Sequence, residues 1–339
     1  MSRHNEEIRI LEKTKLIVRD KLPGFASRYF RDNVSLKAPG SLYGYALDLK
    51  SFFEYLETIG YQVKKMTLED LESITPENIE DYLEYVRNHI KPTTKAGNST
   101  SGLHRKFGAI SSFFNYYYRL DLINRNPVHK VSSPKPVKNI TEIPSNKTNF
   151  EMLDFVVNGE LSGHMNSYCK HTKERDLAII MLIMGAGLKG SEVVNLDIND
   201  VDLQNNQIIV NSGKSSRTVF ISQTISNAVS QYLNIRLDII ADEDDSEALF
   251  LSLQCKRICL RAVQKMVKKY SSAMFDGKHH LTPKALSLSF KNNVFEQTKN
   301  TRITSVATGN DQYTTLRRYR GLVDDYELKK GSEFDPKLS

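Results

Sequence analysis

The stretch from Glu174 to Ser222 constrains this chain most: ERDLAIIMLIMGAGLKGSEVVNLDINDVDLQNNQIIVNSGKSSRTVFIS. It opens with an apolar run, Leu177 to Met184, too long and continuous for a surface helix. Gly185 and Gly187 break that run. Polar Ser191-Glu192, followed by Val193, Val194 and Leu196, predicts a second helix starting near Lys189. Asp197 to Asp202 reads as a turn. Two short strands, Gln207–Val210 and Thr218–Ile221, then flank a connector, Asn211–Arg217, whose Gly213 and Lys214 suit a hairpin tip. The stretch is therefore a buried helix, a glycine corner, a second helix and a hairpin carrying a lysine.

A chain of 339 residues has room for two domains around sizeable cores. The formal net charge of +7 leans toward a polyanionic partner, and its distribution sharpens the point. Between Leu251 and Arg320 there are 14 Lys and Arg against 3 Asp and Glu, whereas Ala241–Leu249 is acidic. Three cysteines, Cys169, Cys255 and Cys259, cannot all pair within one chain. Cys255 and Cys259 lie four apart on an expected helix without partners at metal-site spacing, which points to free thiols in a reducing compartment. The charged N-terminus lacks the pattern of a signal peptide, and no apolar run reaches the ~18 residues of a membrane span. The expectation is a cytoplasmic protein with no metal, no cofactor, no membrane contact and no small-molecule substrate.

Residues 1–38 form a charged helical lead-in, with Phe25, Tyr29 and Phe30 available to pack it onto the next domain. Residues 39–132 read as a small all-helical domain. Leu42, Tyr45, Leu47, Leu49, Phe52, Phe53 and Leu56 make one stripe, Ile79, Tyr82, Leu83 and Val86 a second, and Leu103, Phe107, Ile110, Phe113, Phe114 and Tyr117 a third. Lys95, Arg105 and Lys106 lie at or near the start of that third helix, where they either meet a phosphate backbone or form a solvated helix end. Residues 133–148, rich in Pro, Ser and Lys, read as an interdomain linker.

In the C-terminal half, helices are expected over Asn149–Asn158, Thr224–Leu237 and Arg257–Tyr270, with another beginning at Leu281-Thr282-Pro283. The third of these is amphipathic. Ile258, Val263, Met266 and Val267 face inward, which leaves Arg261, Lys265, Lys268 and Lys269 outside as candidate phosphate contacts or as a plain solvated face. TTLRRYRGL then sets Tyr319 among Arg317, Arg318 and Arg320.

Four blocks in this order, GAGLKGSEVVNLDINDVDL, GKSSRTVFIS, LTPKALSLSF and ATGNDQYTTLRRY, resemble the catalytic domain of the tyrosine recombinase, or phage integrase, family. The helical segment before them resembles that family's SAM-like core-binding domain. The lead-in and KERDLAII at 173–180 are similar to the single-protein Xer recombinases of streptococci. The resemblance implies a mainly α chain with a small β-sheet: a core-binding domain at 39–132, an α+β catalytic domain at 149–325 and a tail at 326–339. It also implies two domains closing on double-stranded DNA, association with further copies or with another recombinase, and strand exchange without a nucleotide cofactor. A tyrosine would attack the scissile phosphate, two arginines would hold its non-bridging oxygens, and a hairpin lysine would protonate the leaving oxygen.

Carried over residue by residue, the nucleophile position falls on Tyr319 and the general-acid position on Lys214. The first arginine position is Lys189, the first histidine Lys284, the second arginine Ser287 and the final histidine Asn310. Lysine keeps a charge but loses the bidentate grip of a guanidinium, serine removes the cation, and asparagine cannot shuttle a proton. Loss of one preorganised donor typically costs about 2.7–4 kcal/mol of transition-state stabilisation. His279 and His280, upstream of the Pro283 turn, are expected to point elsewhere. The expectation is a DNA-binding, recombinase-like protein with weak or no strand cleavage. The alternative is an active enzyme using Tyr319 in a non-standard site. A protein that no longer binds DNA is disfavoured by the basic C-terminal third.

Overall fold

The computed structural model describes residues 3–88, 99–135, 142–158, 164–212, 215–275, 277 and 280–319. Lys95, Lys214, His279 and the tail at 326–339 lie outside the described residues. The chain divides into two compact units, 2–140 and 141–339.

The first unit is helical: α1 (Arg3–Lys21), α2 (Ala26–Asn33), α3 (Pro39–Thr58), α4 (Leu68–Ser73), α5 (Pro76–Asn88) and α6 (Thr100–Arg119). Its helix starts are written in the sequence. Pro39 stands in the first turn of α3, Thr67 and Asp70 form a reciprocal capping box on α4, and the Ser99 hydroxyl accepts the Gly102 amide of α6. The three expected stripes converge on an aromatic core in which Phe52, Phe53, Phe113, Phe114, Tyr82 and Tyr117 are buried; Leu47, expected in the first stripe, is exposed, because it falls between the inward positions of α3. The lead-in shares this core. Val18, Leu22, Tyr29 and Phe30 are buried in it, α1 packs along α3, and the Tyr117 hydroxyl donates to the Phe25 carbonyl at 2.8 Å.

The second unit runs α7 (Asn146–Asn158), α8 (His164–Gly185), α9 (Gly190–Val193), β1 (Val201–Asp202), β2 (Gln207–Ser212), β3 (Ser215–Phe220), α10 (Gln223–Leu237), α11 (Leu260–Met274), α12 (Pro283–Thr298) and α13 (Thr301–Thr308), with helical turns again at 312–319. The apolar run lies in α8, which packs against α7, α10 and α12, so Ala178, Ile179, Ile180, Leu182 and Ile183 are fully enclosed. The strands form one antiparallel sheet in the order β1-β2-β3, with Ile208 opposite Val219 and Val210 opposite Arg217. Ile208, Val210 and Val219 face the core while Ile209 and Phe220 face out. Strand alternation thus puts Arg217 on the inner face, beside Val219.

Several local expectations are corrected. The end of the expected turn at Asp197–Asp202 is strand β1, paired with β2. The hairpin strands run on to Ser212 and from Ser215, shortening the connector. The helix expected from Arg257 starts at Leu260, because Cys259 is extended and Arg257 is drawn into a bridge with Leu251. Cys255 therefore sits in a turn with φ +56°, and Cys259 caps a helix. The helix expected from Asn149 begins at Asn146, where the Ser145 hydroxyl accepts the Thr148 amide. Among the described residues no helix is long and apolar enough to cross a membrane.

The corner between α8 and α9 requires glycine. Gly187 has φ +70°, and a Cβ there would lie 2.3 Å from the Phe290 ring. Gly187→Ala is expected to destabilise the protein by about 2–4 kcal/mol, from left-handed strain and overpacking together. Chemical denaturation checks this, and a loss below about 1 kcal/mol would show that the corner yields.

Candidate active site

Four parts of the chain meet at a cavity of about 640 Å³: the start of α9 after the glycine corner, one face of α11, the first three turns of α12 with the residues just before it, and the turn after α13 with the helical turns at 312–319. Pro283 and the Thr282 hydroxyl, which accepts the Ala285 amide, fix where α12 begins. From that start, Lys284, Ser287, Leu288 and Lys291 fall three to four residues apart on one face, and all four line the cavity. Lys189, at the start of α9, joins them, as do Asn310, Arg318 and Lys268. Four of the family positions named from sequence, Lys189, Lys284, Ser287 and Asn310, are therefore brought together. His280, expected to point elsewhere, also lines this cavity, its Nδ1 3.1 Å from the Ser272 hydroxyl.

Glu192 ties the wall together. It is buried, its Oε2 accepts the Lys189 amide at 2.8 Å, and its two oxygens accept the Arg217 guanidinium at 2.9 and 3.0 Å. The Lys189 amine stands 3.6 Å away. Burial pushes this carboxyl upward, but the Arg217 fork, the amide and the Lys189 charge outweigh it and hold it below its ordinary value. Gly309, with φ +60°, lies flat against the same arginine, since a Cβ there would be 2.3 Å from the Arg217 Nε. Arg217 was not among the sequence candidates. Its signal was its place two residues before Val219 on the inward face of a strand.

Ser287, at the second-arginine position, is buried and donates its hydroxyl to the Gly187 carbonyl at 3.0 Å. Its side chain is thus spent on holding the corner. One turn on, Lys291 is only 6% exposed. Desolvation, with the Lys189, Arg318 and Arg217 charges, pulls its amine down to about 8, and Glu192 opposes this only in part. Sequence reasoning missed Lys291, although its i+4 spacing from Ser287 and i+7 from Lys284 was there to be read.

Tyr319 is not among the residues that line the cavity. Its ring stacks on Phe295 at 4.1 Å and 10°, its hydroxyl donates to the Asn292 side-chain oxygen at 2.8 Å, and it is 4% exposed. Burial raises the phenol above its ordinary value, Arg318 works against that, and Glu296 adds to it. Arg318 reaches the cavity because one step along a helix turns a side chain by about 100°.

The charged candidates divide. Arg261, Lys265, Lys268, Arg317 and Arg318 are exposed. Lys269 is not on the outer face: it is half-buried, 3.5 Å from the buried Asp176. Lys106 is likewise buried, 3.5 Å from Asp48, while Arg105 pairs with Asp48 from a more exposed position. Burial lifts the Asp48 carboxyl above its ordinary value despite both cations. Lys106 and Lys269 are structural counter-ions, placed by carboxylates distant in sequence.

The mostly helical architecture with its three-stranded antiparallel sheet is that of tyrosine recombinase catalytic domains. Residues 158–324 match the phage integrase family and form a domain of it. Over 91% of its length the chain is 28% identical to the tyrosine recombinase XerC of Caldanaerobacter subterraneus, covering 84% of that protein. It is 27% identical to the tyrosine recombinase XerS of Streptococcus uberis, over 90% of this chain and 93% of that one. Among solved structures, the Tn1549 transposon integrase in complex with transposon right end DNA matches with a TM-score of 0.65 at 16% identity, covering 90% of this chain and 97% of that one. XerH bound to its difH substrate matches with a TM-score of 0.59 at 18% identity, covering 88% and 80%.

Two stability measurements check the wall of this cavity. Glu192→Gln leaves Arg217 without its buried counter-charge and should cost roughly 3 kcal/mol at pH 7. Because the Glu192 carboxyl sits below its ordinary value of 4.5, the wild type holds this advantage above that pH and loses it as pH falls through the folded value. An advantage that does not change on acidification would contradict the assignment. For Lys291, the unfolded chain binds the extra proton between pH 8 and 10.5, so the lysine's penalty is full below about 8 and fades as pH rises to 10.5. The stability of Lys291→Met relative to wild type should decline across that window, and a flat difference would contradict the buried placement.

Proposed function

We propose that this chain takes part in site-specific DNA recombination as a DNA-binding protein of the cytoplasm, that its cavity receives a phosphodiester, and that its own strand cleavage is weak or absent. The single observation that carries the reading is the state of Tyr319. It is packed on Phe295 and hydrogen-bonded to Asn292, outside a cavity where Lys189, Lys284, Ser287 and Asn310 stand at the remaining described family positions. A lysine in place of a guanidinium offers charge without two aligned donors, so it attracts a phosphate better than it stabilises the charge that builds during transfer. The family domain, relatives named as tyrosine recombinases, and fold neighbours solved with DNA support recombination as the process.

In this reading residues 39–132 serve as a core-binding domain joined through 133–148 to the catalytic-type domain, with Lys95, Arg105 and the exposed Arg261, Lys265, Lys268 and Arg317 meeting the backbone of a duplex. Lys214 is the hairpin's proton donor in the active alternative. One observation favours that alternative: Arg318, adjacent to Tyr319, already lines the cavity, so a rotation of the helical turns at 312–319 would bring the phenol toward it. Association with further copies or with an active recombinase belongs to the same proposal.

Duplex binding measured by anisotropy across a salt series should weaken steeply, with the slope of log K against log salt set by the phosphates neutralised. A flat response, or no binding to any duplex, would remove the proposal. On a nicked suicide substrate of the bound sequence, covalent protein–DNA product should be at least about 10²-fold below that of an active recombinase, as the loss of even one preorganised donor predicts. Abundant product that vanishes in Tyr319→Phe would establish the active alternative.

A further inference from the structure

We infer that Lys291 is an anion-binding residue of this cavity, a cation one helical turn beyond Ser287 that holds an oxygen of the bound phosphate. The described residues lining the cavity include Lys189, Lys268, Lys284, Lys291 and Arg318 and no Asp or Glu. The buried carboxylate whose charge acts on Lys291, Glu192, is already taken by the Arg217 fork and the Lys189 amide. Lys291 is 6% exposed, and among the described residues its amine has neither a hydrogen bond nor an ion pair. A lysine enclosed in this way, facing other cations, is destabilising for the folded protein alone, since desolvation and repulsion both oppose its charge. Lys106 and Lys269 show the contrast: each is buried or half-buried against a carboxylate.

The ligand chemistry is set by the lining. Several cations without a carboxylate select an anion that offers several oxygens, and Asn310 and Thr314 add neutral polar side chains. Leu260, Leu281, Pro283 and Leu288 give the cavity an apolar wall, which excludes water and strengthens each charge. Ser287 cannot serve in place of Lys291, because its hydroxyl is committed to Gly187. The position expected to supply a second cation is therefore vacant, and Lys291 supplies that charge from the same face of α12. That the anion is a DNA phosphodiester rests on the recombination reading; that the cavity binds an anion through Lys291 does not.

The test uses the full chain as wild type, Lys291→Met and Lys291→Arg, with inorganic sulfate and a DNA duplex as separate probes. Thermal unfolding is followed against sulfate, with sodium chloride added to keep ionic strength constant. Sulfate stabilises folded proteins generally, so the readout is the difference between variants. Without sulfate, Lys291→Met should unfold at or above the wild-type temperature. Its half-saturating sulfate concentration should rise about tenfold or more, the loss of one charge-assisted contact, while Lys291→Arg stays within about threefold of wild type. In the duplex arm, Lys291→Met should reduce the slope of log K against log salt by about 1, and Lys291→Arg should restore it. Equal sulfate responses in wild type and Lys291→Met overturn the inference, as does a Lys291→Met protein that fails to fold, since the lysine would then be structural. A Lys291-dependent sulfate response with no duplex binding upholds the anion site and removes the recombination reading. Duplex binding with no Lys291-dependent sulfate response does the reverse.

Discussion

Glu192 holds three parts of the second unit in register. Its carboxylate takes the Arg217 fork from β3 and the amide and charge of Lys189 from the start of α9, and Arg217 in turn presses on Gly309 after α13. Buried ion pairs often contribute little net stability, because desolvation offsets attraction. Their geometric effect is larger here, since a bidentate guanidinium–carboxylate pair fixes both partners in direction as well as distance. Without it the corner that presents Lys189 and the turn that presents Asn310 would have no common reference.

The same corner explains what has become of the cations. The Gly187 carbonyl needs a donor, and the buried Ser287 hydroxyl provides it at 3.0 Å. A side chain without a hydroxyl at 287 would leave that carbonyl without this donor. The positive charge of the cavity is distributed over Lys189, Lys268, Lys284, Lys291 and Arg318. Lysine amines give point charges on flexible stems, and Arg318 alone among the described lining residues carries a planar guanidinium. Tyr319 lies outside that lining, stacked on Phe295.

Much of the architecture was legible in the sequence because it rests on local signals. The unbroken apolar run could only be a helix enclosed on all sides, and Pro283, Ser99 and Gly187 mark starts and corners by backbone chemistry alone. What escaped depends on partners remote in sequence. Lys106 and Lys269 look like surface charges until Asp48 and Asp176 arrive beside them from other helices. Strand β1, only two half-buried residues, has no alternation to reveal it. Arg257 breaks an otherwise good helical pattern because it pairs with Asp197 and reaches the Val194 and Leu196 carbonyls. At the site, the substituted positions could be named from spacing, but the burial of Lys291 and the commitment of Ser287 exist only once α12 lies against the glycine corner.

Whether the cavity receives a DNA phosphate is decided by a structure of the full chain bound to a duplex recovered from cells. The expected result is a backbone phosphate seated in the cavity, within hydrogen-bonding distance of the Lys291 and Lys189 amines, with Tyr319 still on Phe295. Duplex bound elsewhere on the chain with the cavity free of phosphate, or Tyr319 turned into the cavity in line with a phosphorus atom, would contradict it.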